Sequence, residues 1–172
     1  MAISADSEAV LHSLQDYVTE LHEEWKTLLA LFGSGERNFE LVNSTAGAFF
    51  ETVYRTMIRD ILLGVARLTD PLQTAGKPNL VLERLTLLPE VLAVPSIGAR
   101  VAAQLADVKG KAQPFRDYRN KYLAHLDLPT SLAPVGDVLP GIQRENVDTV
   151  LDAMSTLFNM VDGPLRDRFV MF

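Results

Sequence analysis

The sequence contains no cysteine. Disulfides, thiolate nucleophiles and cysteine-ligated zinc or iron–sulfur sites are therefore excluded, and the absence fits a reducing cytoplasm. Histidine is scarce, at three residues. His12 and His22 lie ten residues apart, too far for ligands on adjacent helical turns, and His22-Glu23-Glu24 lacks the second histidine of a zinc-protease helix. Both are expected on the solvated side of their helix, and no metal or cofactor is expected. Excess positive charge is missing too. Sixteen Lys+Arg against 22 Asp+Glu give a net charge of -6, which argues against a surface coated for non-specific nucleic-acid binding. Long apolar runs are also missing. The most apolar stretch, Ile61 to Val65, is far short of the ~20 residues that span a bilayer. The acidic first ten residues do not read as a secretory signal. A soluble, cytoplasmic chain with no membrane contact is the expectation.

What is present is helical patterning. Leu11, Leu14, Val18, Leu21, Trp25, Leu28 and Phe32 recur at alternating spacings of three and four, which puts one apolar stripe on a helix over residues 5–32. Ser4 or Asp6 suits its cap, and Gly33 a left-handed stop. After a link at 34–43 with room for one short helix, a second stripe runs from Phe49 to Val65 on a helix over 44–68. Thr69-Asp70-Pro71 ends it, because proline cannot continue the helix. Residues 71–78 read as a polar loop. A shorter helix over 80–88, capped by Asn79, stops before Pro89. A long helix from Ser96 to Leu126 contains Gly110 and Pro114, where a kink or break is expected. Residues 129–143 form the longest loop. The last helix covers 144–161 and is expected to stop at Gly163-Pro164. Nothing reads as a strand. The pattern predicts one all-α domain over residues 1–172, an up-and-down bundle of four long helices plus a short one.

Most chemical motifs are missing. Gly33-Ser34-Gly35 lacks the lysine and hydroxyl residue of a phosphate loop, and there is no Gly-x-Ser-x-Gly elbow. One segment stands out. From Lys109 to His125 there are five cationic residues and one acid, a local charge of +4 on a negative chain. A cationic strip on an acidic body is a candidate anion site, although a solvated helix face would look the same. Within it Tyr118, Tyr122 and His125 fall at i, i+4 and i+7, on one helix face. Regular helix geometry separates Arg119 from His125 by ~120° around the axis and ~9 Å along it. The two side chains then meet only if the helix loosens, or if a second copy of the chain completes the site. A histidine in a last helical turn near Asp127 favours its charged form and can move protons near neutral pH.

Arg119-Asn120-Lys121-Tyr122-Leu123-Ala124-His125 resembles the motif of the HEPN superfamily, an Arg and a polar residue followed by His after four to six intervening positions. The Ala-His-Leu-Asp ending, with Arg67-Leu68-Thr69-Asp70-Pro71 upstream, resembles the AbiU-like abortive-infection branch. The resemblance implies a helical bundle that usually dimerises, with the motif helices of two protomers lining a cleft. It implies a metal-independent endoribonuclease in phage defence or a toxin–antitoxin module, with an antitoxin or regulatory protein as a further partner. The alternative is a relative that has lost catalysis and binds RNA, nucleotide or protein. Carried onto this chain, His125 is the general acid or base and Arg119 holds the phosphate, with Asn120 orienting the phosphate or the imidazole. Arg116 and Lys121 attract RNA, while Tyr118 and Tyr122 are stacking candidates whose spacing also suits a core. Asp70 and Asp127 are supporting residues. One toxin branch carries a modifiable Tyr two residues beyond the His. Asp127 stands there in this chain, which sets that form of control aside.

Overall fold

A computed structural model describes residues 3–33, 36–123, 142–167 and 169–172. Helix α1 (Ala5–Phe32) and helix α2 (Glu36–Leu68) are followed by a two-residue hairpin, β1 (Gln73–Thr74) and β2 (Lys77–Pro78). Then come a 3-10 helix (Leu82–Leu87), the short α3 (Pro89–Leu92), α4 (Pro95–Tyr118) and α5 (Arg144–Arg166). The long helices form a closed ring. Helix α1 packs on α2 and α5, and α4 packs on the same two from the other side. The fold is all-α, with four long helices as the sequence pattern predicts.

The apolar stripes fill the interior, except that Phe49 at the start of the α2 stripe stays exposed. Leu11, Leu14 and Val18 of α1, Ile61 and Val65 of α2, Val108 and Phe115 of α4, and Met154, Leu157 and Phe158 of α5 are fully buried. At ~1.5–3 kcal/mol for each large apolar side chain, this core is the main source of stability. Polar contacts fix how the helices sit. Trp25 Nε1 donates to Asp148 Oδ1 at 2.6 Å, joining α1 to α5. Ser4 caps α1 by accepting from the Ser7 amide. Glu90 of α3 then accepts from the Ser4 amide at 2.8 Å and from Ser7 Oγ at 2.7 Å, which docks the start of α1 on α3.

Several local expectations need correction. Gly33 ends α1 at φ −92°, a right-handed conformation. Its lack of a side chain matters for space instead, since a Cβ there would stand 2.7 Å from the Leu29 carbonyl oxygen. Helix α2 is two helices joined across a kink at Ala46 (φ −161°, ψ 61°), so its part before the kink takes the place of the short helix for which the link had room, and its long part starts within a few residues of the expected 44. The loop after Pro71 is a small antiparallel hairpin, with Gln73 opposite Pro78. Asn79 holds that turn by donating to the Pro71 carbonyl and to Thr74 Oγ1, both at 2.8 Å, and caps no helix. The expected helix over 80–88 is wound as the 3-10 segment. Pro89 opens α3 from its first turn, where a missing N–H costs nothing. Helix α4 runs on through Gly110 and Pro114 to Tyr118. Both residues are exposed, so water reaches the carbonyl that proline leaves unpaired. Helix α5 likewise passes Gly163-Pro164 and ends at Arg166, followed by left-handed Asp167 (φ 51°). Arg166 holds this last turn through fully buried Asp162 at 2.9 Å and Glu8 of α1 at 2.7 Å.

His22 also departs from the expected solvated position. It is buried, 2.8 Å from Ser155 Oγ on α5, and its ring stacks on Phe172 at 5.5 Å. The α1 pattern shows which residues face the core, but not that α5 and the chain's end cover the flank beside it. His12 is exposed and pairs with Asp16 at 2.9 Å.

Candidate functional site

The motif segment sits where α4 changes its winding. After Tyr118 the helix widens into a π turn over Arg119–Leu123. Such turns replace i→i+4 bonds with i→i+5 bonds and rotate successive side chains by less than an α-helix does. The ~120° separation derived from regular geometry therefore does not describe this stretch. His125 and Asp127 lie outside the described residues.

Arg119 is the best-defined member. Its Nη1 donates to Oδ1 and Oδ2 of Asp70, each at 2.7 Å, and its Nε donates to Asn120 Oδ1 at 3.2 Å. The guanidinium side chain is 19% exposed and the Asp70 side chain 21%, so the pair stands at the protein's edge within reach of water. Asp70 is delivered by the end of α2. The Asp70 amide bonds back to the Arg67 carbonyl, and Thr69 Oγ1 bonds to the Val65 and Ala66 carbonyls. A carboxylate at a helix C-terminus is electrostatically disfavoured, and Arg119 supplies the charge that offsets it. The two motif segments read from the sequence thus meet in space through one ion pair.

The surrounding residues divide clearly. The Tyr118 and Tyr122 rings stack at 5.0 Å and 28°, both half-buried, and Tyr118 packs against the core. Asn120 and Lys121 are exposed. Arg116 is half-buried, and its Nε is enclosed with no hydrogen-bond partner. The cationic strip is weaker than its sequence suggests. Lys109 pairs with Glu83 at 2.7 Å, Lys111 pairs with Asp107, and Arg119 pairs with Asp70. Within the described part of this strip, Arg116 and Lys121 are the cations left without an ion pair. No group of His, Cys, Asp and Glu suited to a metal occurs among the described residues, and no helix among them is long and apolar enough to cross a membrane.

Sequence reasoning missed a cavity next to this pair. About 590 Å³ of space lies between α1 and α2, closed at one end by Asp70 and the residues after the hairpin, Asn79 and Leu80. Tyr17, Glu20 and Glu24 line one wall, and Asp60, Gly64 and Arg67 the other. The signal was present as Tyr17, Glu20 and Glu24 at i, i+3 and i+7, but only the facing helix makes that spacing a wall. A Cβ at Gly64 would stand 2.4 Å from Leu21 Cδ2, so a side chain there needs the Leu21 side chain to shift. Burial, with Asp60 and Glu20 close by, raises the Glu24 pKa above the usual carboxylate value.

The chain is thus a ring of four long helices with an Arg-polar segment after α4 tied to a carboxylate from the end of α2. The family described as AbiU2, an HEPN family, matches residues 8–163. The chain belongs to this AbiU2 family of HEPN proteins. Neither a curated protein nor a solved structure gives a match.

Proposed function

We propose that this chain is a metal-independent endoribonuclease acting in abortive infection or as the toxin of a toxin–antitoxin pair. Membership of the HEPN AbiU2 family over residues 8–163 supports this, and the observation that carries it is Arg119, water-accessible and fixed in orientation by Asp70.

The chemistry asks little of the protein beyond two groups. The ribose 2′-hydroxyl attacks the adjacent phosphorus, and the bond from phosphorus to the 5′-oxygen breaks. The products are a 2′,3′-cyclic phosphate and a free 5′-hydroxyl. His125, carrying a proton, delivers it to the leaving oxygen, or, neutral, takes one from the attacking hydroxyl. Arg119 holds the phosphate and stabilises the charge that builds on it. Asp70 occupies Nη1 alone among the nitrogens of the guanidinium, so Nη2 is the edge offered to a phosphate. Asn120 steers the group through Nε. Arg116 and Lys121 draw the strand in, and a splayed base stacks beside Tyr118 and Tyr122. A second copy of the chain would bring two such segments into one cleft. The expected products give the test. End-group analysis of cleaved RNA should find 2′,3′-cyclic phosphates. Products with a 5′-phosphate would point to water or metal-hydroxide attack and refute this mechanism.

A second reading has its own support. Asp70 already balances the Arg119 charge within one subunit, as a structural ion pair would. In that case the chain is a non-catalytic binder of RNA, nucleotide or a protein partner, and purified protein leaves RNA intact.

A further inference from the structure

The segment that links α2 to α3 is charged unevenly. From Arg67 to Arg84 it holds three cations and two acids. Both acids are engaged by α4, Asp70 by Arg119 and Glu83 by Lys109, each at 2.7 Å. The two ion pairs fasten the segment to α4. They leave Arg67, Lys77 and Arg84 without an acidic partner among the described residues, and Arg67 and Lys77 are exposed. On α4 itself, Arg116 lies between the two fastening points, and Lys121 follows Arg119 in the π turn. Asp117, which accepts from Gln113 at 2.8 Å, is the one acid over residues 109–123. Uncompensated cations thus gather along one edge of a chain whose net charge is -6, the pattern of a local anion-binding surface.

The hairpin is held in place beside the Arg119 pair. Thr74 stands opposite Lys77 in its register, and the Asn79 amide donates to the Leu72 carbonyl at 2.8 Å. Arg84 Nε donates to the Asn79 carbonyl. Asn79 lines the same cavity as Arg67 and Asp70, so the base of the hairpin, the last turn of α2 and the carboxylate that holds Arg119 are neighbours. A phosphate chain that leaves Arg119 across Asp70 meets two surfaces. Inside the cavity stand Glu20, Glu24 and Asp60, which repel it. Along the rim stand Arg67 and then Lys77, each with a free cationic head, and these attract it.

We infer that the rim from Arg119 over Arg67 to Lys77 of the hairpin is a track for the backbone of single-stranded RNA, with each cation taking a phosphate. The inference rests on the nuclease reading for the identity of the strand, but it is tested by binding. A single-stranded 2′-O-methyl RNA has no 2′-hydroxyl to attack and stays intact. Its binding to the full chain is followed by fluorescence anisotropy across a salt series. Each phosphate contact on a single strand adds about 0.7 to the steepness with which log affinity falls against log salt. Arg67→Ala and Lys77→Ala should each reduce the steepness by about 0.7, and the double change by about 1.4. Arg67→Lys, which keeps the charge, should retain the wild-type steepness. Arg100→Ala removes an exposed cation near the start of α4 and should change nothing. No RNA binding, an unchanged steepness in the double variant, or an equal reduction in Arg100→Ala overturns the track. Full-rate RNA cleavage by a double variant of unchanged steepness removes the track and leaves the nuclease standing. Salt dependence that needs Arg67 and Lys77, in a protein that never cuts RNA, upholds the track and counts against the nuclease alone.

Discussion

Asp70 and Arg119, forty-nine residues apart, are joined by two contacts of 2.7 Å from a single guanidinium nitrogen to both oxygens of one carboxylate. The contact ties the end of α2 to the π turn after α4. It leaves the far side of the guanidinium for a ligand, so its loss should be felt in both stability and activity.

Asp70→Asn keeps the shape and removes the charge. The pair is partly shielded, at about a fifth exposed on each side, so we expect a loss of about 1–2 kcal/mol, the scale of a charge-assisted hydrogen bond. Chemical denaturation measures it. RNA cleavage by the folded variant should fall as Arg119 loses its orientation, and kcat should drop more than KM rises. Undiminished kcat would show that Asp70 merely neutralises Arg119.

Glu90→Gln should loosen the start of α1. The Glu90 carboxylate accepts from the Ser4 amide and Ser7 Oγ, and these bonds hold its pKa below the usual carboxylate value. Its contribution is present above the ordinary value of 4.5 and is lost as pH falls through the lowered folded value. The variant should therefore be less stable by about 1–3 kcal/mol at pH 7, and the gap should narrow in acid. Thermal melts from pH 7 to pH 3 check this. A gap that stays constant across that range contradicts it.

His22 works in the opposite chemical sense with the same pH direction. Burial lowers its pKa from 6.5, helped by Lys26 and opposed by the Leu151 carbonyl, Asp152 and Glu23. The unfolded chain takes up this proton first, so stability falls as pH drops below 6.5 towards the lowered folded value. Each pKa unit of lowering corresponds to about 1.4 kcal/mol. Folding stability followed from pH 7 to pH 5 should decline in the wild type and decline less in His22→Gln. Matching slopes in the two proteins would remove His22 from the account.

The four long helices were legible because burial imposes a period on the chain. The stripe from Leu11 to Phe32 and the stripe from Val147 to Val161 are each carried by residues that turn out buried or half-buried. Helix ends were less legible, because the sequence shows a proline but not its surroundings. Pro114 continues α4 on an exposed face, and the helix outlasts Pro164 because Glu8, distant in sequence, reaches Arg166. In the site, Arg119, Asn120 and Asp70 were all identifiable as residue types in order. Their joining was not, since it depends on α2 and α4 ending side by side. The cavity was hidden for the same reason, being made of two helix faces neither of which is distinctive alone.

The most direct test of the central claim is cleavage of a single-stranded RNA in excess chelator by wild type, Arg119→Ala and His125→Ala, each first shown to be folded by circular dichroism. The account predicts that the wild type cuts the RNA and that both variants lose at least 100-fold in rate, the low end for removing an acid–base or electrostatic group. Cutting by the wild type that stops when chelator is added, or that continues undiminished in both variants, would contradict it.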